Sequence, residues 1–289
     1  MSDNDALFRA ILANPDDDAP RLVYADWLDE HGDPDRAMFI RAQVQLARRT
    51  AGPGEHRKLR ALGRKLLRTN RNAWTAHLPA WARDPVFRRG FVERITCPVD
   101  TYLGRADELR RRTPLTGVRL TGSGDLAVPL FRSRTLDGLH FIALSCPWAE
   151  FPIRAGTWDH LVACPFLSRL VELQLHGHGE TGTELVGALI SANQMPELRG
   201  LTLRFLGLTD LDVARLVGHP WIARLTTLDL SDNLIGEGGV RDLIESPHLD
   251  GLKTLELQGI PIHDARMIYR LMERFGSRLS RRLGTRWAL

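Results

Sequence analysis

The chain has 289 residues, 43% hydrophobic and 26% charged. This composition excludes global disorder, and the length suggests about two domains. The net charge of +4 hides two opposed blocks: residues 1–40 hold 3 Lys/Arg against 10 Asp/Glu, and residues 41–90 hold 13 against 2, while the remainder is balanced. No run of about 18 apolar residues occurs, which excludes a transmembrane helix.

The acidic stretch Met1 to Asp5 predicts no secretory leader. Cys97, Cys146 and Cys164 are odd in number and widely spaced, which argues against a disulfide framework or a zinc site and predicts a cytoplasmic location.

The first ninety residues predict helices. Asp5 to Ala13 carries Leu7, Phe8, Ile11 and Leu12 on one face and stops at Asn14-Pro15. Asp16-Asp17-Asp18 before Ala19-Pro20 is a capped helix start, and Val23, Tyr24, Trp27 and Leu28 form its buried stripe. Gly32 occupies the position of a left-handed C-terminal cap. Asp33-Pro34 opens a third helix through Met38, Phe39, Val44 and Leu46. A basic fourth helix is predicted over about 54–68 and a short one near 72–78. The segment 79–90, with Pro79 and Pro85, reads as a connector. A founding strand is expected at Phe91 to Cys97, followed by a helix through Tyr102, Leu103 and Leu109.

Beyond it the sequence repeats. Leu225-x-x-Leu228-x-Leu230-x-x-Asn233-x-Ile235 recurs from Leu252, Leu198 and Leu170, at steps of 28, 27 and 27 residues. Weaker copies start at Leu136 (Leu136, Leu139, Phe141) and Leu115 (Leu115, Val118, Leu120). Leucines at positions 1, 4 and 6 straddle a short strand and point into a core that only the neighbouring unit can close. The strands should stack in parallel on an inner face, with right-handed crossovers through helices on the outer face.

Residues 91–289 therefore predict an α/β leucine-rich-repeat solenoid of parallel inner strands and outer helices, resembling the ribonuclease-inhibitor type in period. It is preceded by a small all-α domain with a basic extension over residues 1–90. Asn233 stands where that family has asparagine, but the equivalents Ser123, Leu144, His178, Leu206 and Ile260 do not, so irregular outer turns are expected.

The N-terminal string Asn14-Pro-Asp-Asp-Asp-Ala-Pro-Arg-Leu-Val-Tyr-Ala-Asp-Trp-Leu-Asp-Glu-His-Gly-Asp-Pro, with Phe39-Ile-Arg-Ala-Gln43, resembles the bacterial repeat-companion domain. That is a short helical module preceding repeat arrays, notably in planctomycetes. The likeness covers about residues 4–46 and departs at Met38, where an acidic residue is expected. It implies a companion domain followed by repeats, and no catalytic activity.

Side chains between the leucines face solvent from the inner strands. They are polar and varied, as suits recognition of an extended partner on a concave sheet, although solvated strand positions are polar in any case. The candidate binding residues are Arg119, His140, Gln174, His176, Arg204, Asp229 and Glu256. Small residues at position 3 (Gly117, Gly138, Gly200) could admit a partner close to the backbone.

A second candidate is the basic segment 48–71. If helical, it aligns Arg57, Arg60, Arg64 and Arg68 on one face beside Lys58 and Lys65. Such a stripe can neutralise phosphates, but it can also pair with the acidic first forty residues or stay solvated. Asp26, Asp29, Glu30 and Arg41 read as caps and interhelical ion pairs.

His176-Gly-His178-Gly-Glu180 has metal-ligating residue types, yet its spacing indicates no further ligand. Neither a nucleophile dyad nor a phosphate loop is present in the sequence. The expectation is a non-catalytic protein-interaction scaffold without cofactor or metal, whose protein partner the sequence does not name. A nucleic-acid-binding module using the basic helix is the alternative.

Overall fold

The computed structural model describes residues 3–48, 52–122, 124–145, 156–177, 181–192 and 195–279. It divides into two compact units, Met1–Cys97 with Gly104–Val118, and Pro98–Leu103 with Arg119–Leu289. No helix among the described residues is long and apolar enough to cross a membrane.

The first unit opens with α1 (Asp3–Ala13), α2 (Ala19–Glu30), α3 (Pro34–Arg48) and α4 (Pro53–Thr75). Asp3 and Asp5 lie in the first turn of α1, where the helix dipole favours negative charge. The N–H of Ala19 donates to Asp17 Oδ1 at 2.9 Å, so Asp17 rather than Asp18 caps the backbone entering α2. Gly32 has φ +88°, the left-handed stop that its position predicts. Asp33 Oδ1 accepts the N–H of Arg36 at 3.1 Å, which fixes the entry of α3.

The basic helix does not end at residue 68. Thr69 Oγ1 donates to the Lys65 carbonyl and Asn70 Nδ2 to that of Leu66. Asn70 Nδ2 also donates to Asp35. Residues that usually weaken a helix interior here turn back onto it, and one continuous helix replaces the two predicted.

The predicted connector contains a strand. β1 (Arg83–Arg88) pairs antiparallel with β2 (Phe91–Pro98). Arg89 and Gly90, both at positive φ, form the two-residue turn that suits the strand twist. The expected junction at 90/91 thus falls inside a hairpin turn. Phe91 joins Ile11, Ala25, Leu28, Ala37, Ile40 and Val44 in one buried cluster, against which Phe8, Leu22, Tyr24 and Trp27 pack.

Helix α5 (Val99–Arg110) and strand β3 (Gly117–Thr121) are each shared between the units. The second unit continues through α6 (Ala127–Arg132), β4 (Phe141–Ser145), α7 (Thr157–Val162), β5 (Glu172–His176), α8 (Gly182–Ala192), β6 (Gly200–Arg204), α9 (Asp210–Gly218), β7 (Thr227–Asp229), α10 (Glu237–Glu245), β8 (Thr254–Glu256) and α11 (Ala265–Phe275). Strands β4 to β8 lie side by side in chain order and are all parallel. Successive parallel strands joined by a helix are the arrangement that leucines at positions 1, 4 and 6 require.

Leu173, Leu175, Leu201, Leu203, Leu228, Leu230, Leu255 and Leu257 are all buried. Val213, Leu216 and Val217 of α9 and Val240, Leu243 and Ile244 of α10 close the same core from the helix side. The one asparagine at the family's position is fully used. Asn233 Oδ1 accepts the N–H groups of Leu206 and Leu208, and Nδ2 donates to the carbonyls of Leu203, Leu230 and Ser231. A single side chain therefore satisfies backbone groups of two adjacent units that neither strand nor helix can serve.

Candidate partner-binding face

Strand register decides which side chains share a row. Glu172 pairs with Gly200 and Gly200 with Thr227, which pairs with Thr254. The four regular units therefore align as their spacing predicts. The unit before them does not. Phe141 pairs with Glu172, Ala143 with Gln174 and Ser145 with His176, so its leucine triad is Leu139, Ile142 and Leu144 rather than Leu136, Leu139 and Phe141.

This moves the binding-row expectation by three residues. The row through Gln174 contains Ala143, and His140 lies in the turn before β4. There the His140 carbonyl accepts the N–H groups of Val171 and Glu172. Both triads are apolar with the same internal spacing, so pattern alone could not separate them. The burial of Ile142 and Leu144 could not be read from the residue types around them.

On the exposed side, Arg119, Gln174, Thr202, Asp229 and Glu256 form one row, and His176, Arg204, Ser231 and Gln258 the next. The small Ala143 leaves a gap that Arg119 spans. Arg119 Nη2 donates to Gln174 Oε1 at 3.1 Å, and Gln174 Nε2 donates to Glu172 Oε1 at 2.7 Å. A Cβ at Gly200 would lie 3.1 Å from Glu172 Cγ. The space beside this glycine is thus taken by the Glu172 side chain and is not open for a partner.

At the other end, Arg204 Nη2 pairs with Asp232 Oδ2 at 2.5 Å and Arg204 Nε lies 4.0 Å from Asp229 Oδ2. Burial opposes the Arg204 charge, but its hydrogen bond to Asp232 and the fields of Asp229, Asp232 and Glu256 outweigh it and raise its pKa. Asp232, which pattern reading passed over, holds a left-handed backbone at φ +59°. Its N–H donates to the Gln258 carbonyl at 2.7 Å. The signal was available: Asp232 immediately precedes the repeat asparagine.

Asp229 and Ser231 are nearly closed to solvent, at 7% and 0% exposed. Asp229 Oδ1 accepts the N–H of Ser231, and Ser231 Oγ accepts the N–H of Gln258. These two groups shape the sheet more than they face a partner. His176 sits between the two ends. Burial lowers its pKa, as do Arg119 and Arg204, with Asp229 acting weakly in the opposite sense. At neutral pH the row therefore presents an uncharged imidazole between two guanidinium groups.

The basic stripe has a different setting. Arg57, Arg60, Arg64, Lys65 and Arg68 are all exposed on α4, and none forms an ion pair with a described residue. The acidic block pairs elsewhere: Asp26 and Asp29 with Arg41 at 2.6 and 2.5 Å, and Asp18 with Arg48 at 2.8 Å. The Asp26, Asp29 and Arg41 cluster is the interhelical tie that its residue types predict.

His178 and Glu180 of the metal-like string lie outside the described residues, as do Cys146 and Ser123. Cys97 and Cys164 are buried. Burial, assisted by Asp137, pushes the Cys164 thiol up to about 11, and its Sγ donates to the His160 carbonyl at 3.1 Å. Such a thiol is a small core group and not an activated nucleophile.

No family model and no curated protein matches the chain. Among solved structures, a protein from Bacteroides fragilis is similar at 13% identity over 59% of this chain and 66% of that one, with a TM-score of 0.36. An internalin from Listeria monocytogenes is similar at 16% identity over 59% of this chain and 48% of that one, with a TM-score of 0.32. The match thus spans less than two thirds of either protein's length.

Proposed function

We propose that the protein is a non-catalytic interaction scaffold whose second unit recognises a protein partner across strands β3 to β8. The observation that carries this reading is the register of the exposed rows. Arg119, Gln174, His176, Arg204 and Glu256 stand on strands of the repeat sheet and are half-buried, and Arg119, Gln174 and Arg204 are fixed by hydrogen bonds or ion pairs before any partner arrives. Pre-ordered side chains lose little freedom on binding, and an arginine so placed is a common centre of binding energy. The row changes from basic at Arg119 to acidic at Glu256, which suits a partner of the opposite polarity. The likeness of the first helices to a repeat-companion domain agrees with a scaffold built on repeats.

The test is charge reversal at the two ends of the row, Arg119→Glu with Glu256→Lys, in the full chain. Affinity purification from the native cell, followed by mass spectrometry, should recover a partner with the unaltered protein and lose it with the double variant. Recovery of the same partner by a folded double variant would reject the strand face as the site.

A second reading has one observation in its favour: the exposed, unpaired stripe of α4. It supports contact with a nucleic-acid backbone, for which affinity should fall steeply between 50 and 200 mM salt by an order of magnitude or more. No binding to duplex or single strands at low salt would remove it.

A further inference from the structure

Two arginines are buried in the first unit, and they are treated differently. Arg21 is 0% exposed and has a carboxylate of its own: Nη2 lies 2.9 Å from Glu93 Oε1. Its guanidinium also donates to the carbonyls of Arg89 and Pro15 at 3.1 and 2.7 Å. Arg36 is 8% exposed, and no carboxylate of the described residues lies within ion-pair distance. Its Nη1 is buried and has no hydrogen-bond partner among the described residues.

Four rings surround the Arg36 guanidinium carbon, with Trp74 at 4.6 Å, Phe91 at 5.2 Å, Phe87 at 5.7 Å and Phe39 at 5.8 Å. Their faces attract the cation but accept no in-plane N–H bond of the strength a carboxylate gives. Burial lowers the Arg36 pKa to about 10, so it remains charged at neutral pH. The field of Asp33 favours the charge, but a buried cation with no carboxylate at ion-pair distance is costly, and a buried donor left unmade in a folded protein requires an explanation.

The explanation lies beside it. Arg36 lines a cavity of about 470 Å³, within the range of small-ligand sites. Phe8, Tyr24, Trp74 and Phe91 supply flat apolar walls. Arg112 adds positive charge at the same cavity, which His77 also lines, and Arg112 Nη1 donates to the His77 carbonyl at 2.9 Å. The His77 ring is desolvated there, although the residue as a whole is exposed. That desolvation, with Arg36 and Arg112 nearby, lowers its pKa.

Two features limit the ligand's charge. Asp5 and Asp33 share the lining, and Arg112 is already paired with Glu108 at 3.3 Å. A doubly charged group would be repelled more strongly by those carboxylates than a singly charged one, and a single negative charge meets a guanidinium that has no ion-pair partner among the described residues.

We infer that this cavity is a binding site for a monoanionic carboxylate carrying a flat apolar group. The carboxylate accepts its bonds from the Arg36 guanidinium, and the apolar group packs between the rings of Phe8, Tyr24 and Trp74. Two sources share this chemistry: a free aromatic acid, and the C-terminal carboxylate of a peptide ending in an aromatic residue. The site is independent of the strand-face reading, because every lining residue belongs to the first unit.

Titration calorimetry on the full chain tests it with four probes: indole-3-acetate, acetyl-Gly-Gly-Phe, the same peptide as its C-terminal amide, and inorganic phosphate. A carboxylate probe should bind at millimolar concentration or below, and at least tenfold more tightly than the amide or phosphate. The tighter of the first two identifies the source. Arg36→Met should weaken that probe at least tenfold with the circular dichroism spectrum retained, and Arg112→Gln at the cavity edge should weaken it severalfold. Absence of binding by both carboxylates, equal binding of amide or phosphate, or full binding by a folded Arg36→Met protein would overturn the assignment. If Arg36→Met fails to fold, unchanged binding by Arg112→Gln would overturn it instead.

Discussion

Two of the buried polar side chains in the helical unit are guanidinium groups, Arg21 and Arg36, set among aromatic rings. In the repeats the buried polar side chains include Ser231, Asp212, Ser246 and Asn233, and each of these four serves the backbone or a helix cap. Asp212 completes the capping box with Thr209 at the start of α9. Ser246 Oγ donates to the Val217 carbonyl in the preceding unit. In the repeats, small polar side chains thus satisfy unmet backbone groups in place. The helical unit has no such repeat, and beside buried threonines it encloses these two charged guanidinium groups. What they require is a counter-ion, and only one of the two has it within the described residues.

That contrast can be broken at three points, from the largest expected effect to the smallest. Asn233→Ala would strand five backbone groups that meet no other side chain. It should cost about 3 kcal/mol or more in urea unfolding, and a loss under about 1 kcal/mol would show that the asparagine is dispensable to the repeats. Glu93→Gln removes the counter-charge of Arg21 and should cost about 3 kcal/mol. Arg36→Met, by contrast, should leave stability within about 1 kcal/mol of the parent or raise it, since it removes a charge that has no protein partner. Equal losses in these two variants would erase the difference between the arginines.

The smallest effect concerns His176. Its folded pKa lies below the usual imidazole value, so below about pH 6.5 the unfolded chain takes up the proton that the folded chain resists. Stability contributed by the neutral ring is present at higher pH and declines as pH falls through that window. His176→Gln should therefore lose less stability than the parent between pH 7 and pH 5 in thermal melts. A parallel decline in both proteins would remove His176 from the pH response.

Legibility followed the same division. The units starting at Leu170, Leu198, Leu225 and Leu252 were readable because each strand repeats one pattern of burial, and their register agrees residue for residue. The unit before them carries two overlapping apolar triads, and only hydrogen bonding to β5 selects Leu139, Ile142 and Leu144. His140 was placed on the binding face by that ambiguity. In the helical unit the helix starts were legible from Asp-Pro and Pro signals, and the tie from Arg41 to Asp26 and Asp29 from charge placement.

Arg36 was not legible. Its position in the first turn of α3 suggests an exposed cation, and its burial depends on Trp74, Phe87 and Phe91, which lie about 40 to 55 residues away in sequence. The one local hint was the aromatic Phe39 three residues on, a spacing at which helical side chains meet. The strand β1 was hidden for a related reason. Pro85 argues against a strand, yet the register shifts between Arg83 and Val86 and between Val86 and Phe87, and such an irregularity accommodates proline at an edge.

The tight turn at Arg89-Gly90 governs how the protein can be dissected. A Cβ at Gly90 would fall 2.7 Å from the Ile40 Cα, at a backbone φ of +89°, so the hairpin tip lies directly against α3. A fragment ending at residue 90 would stop at this contact and discard Phe91 and Glu93. The remaining helices would then lack the ring that flanks both buried guanidinium groups and the carboxylate that neutralises one of them. A fragment intended to isolate the carboxylate pocket must therefore run on through Val118, carrying the hairpin and Arg112 with the helices.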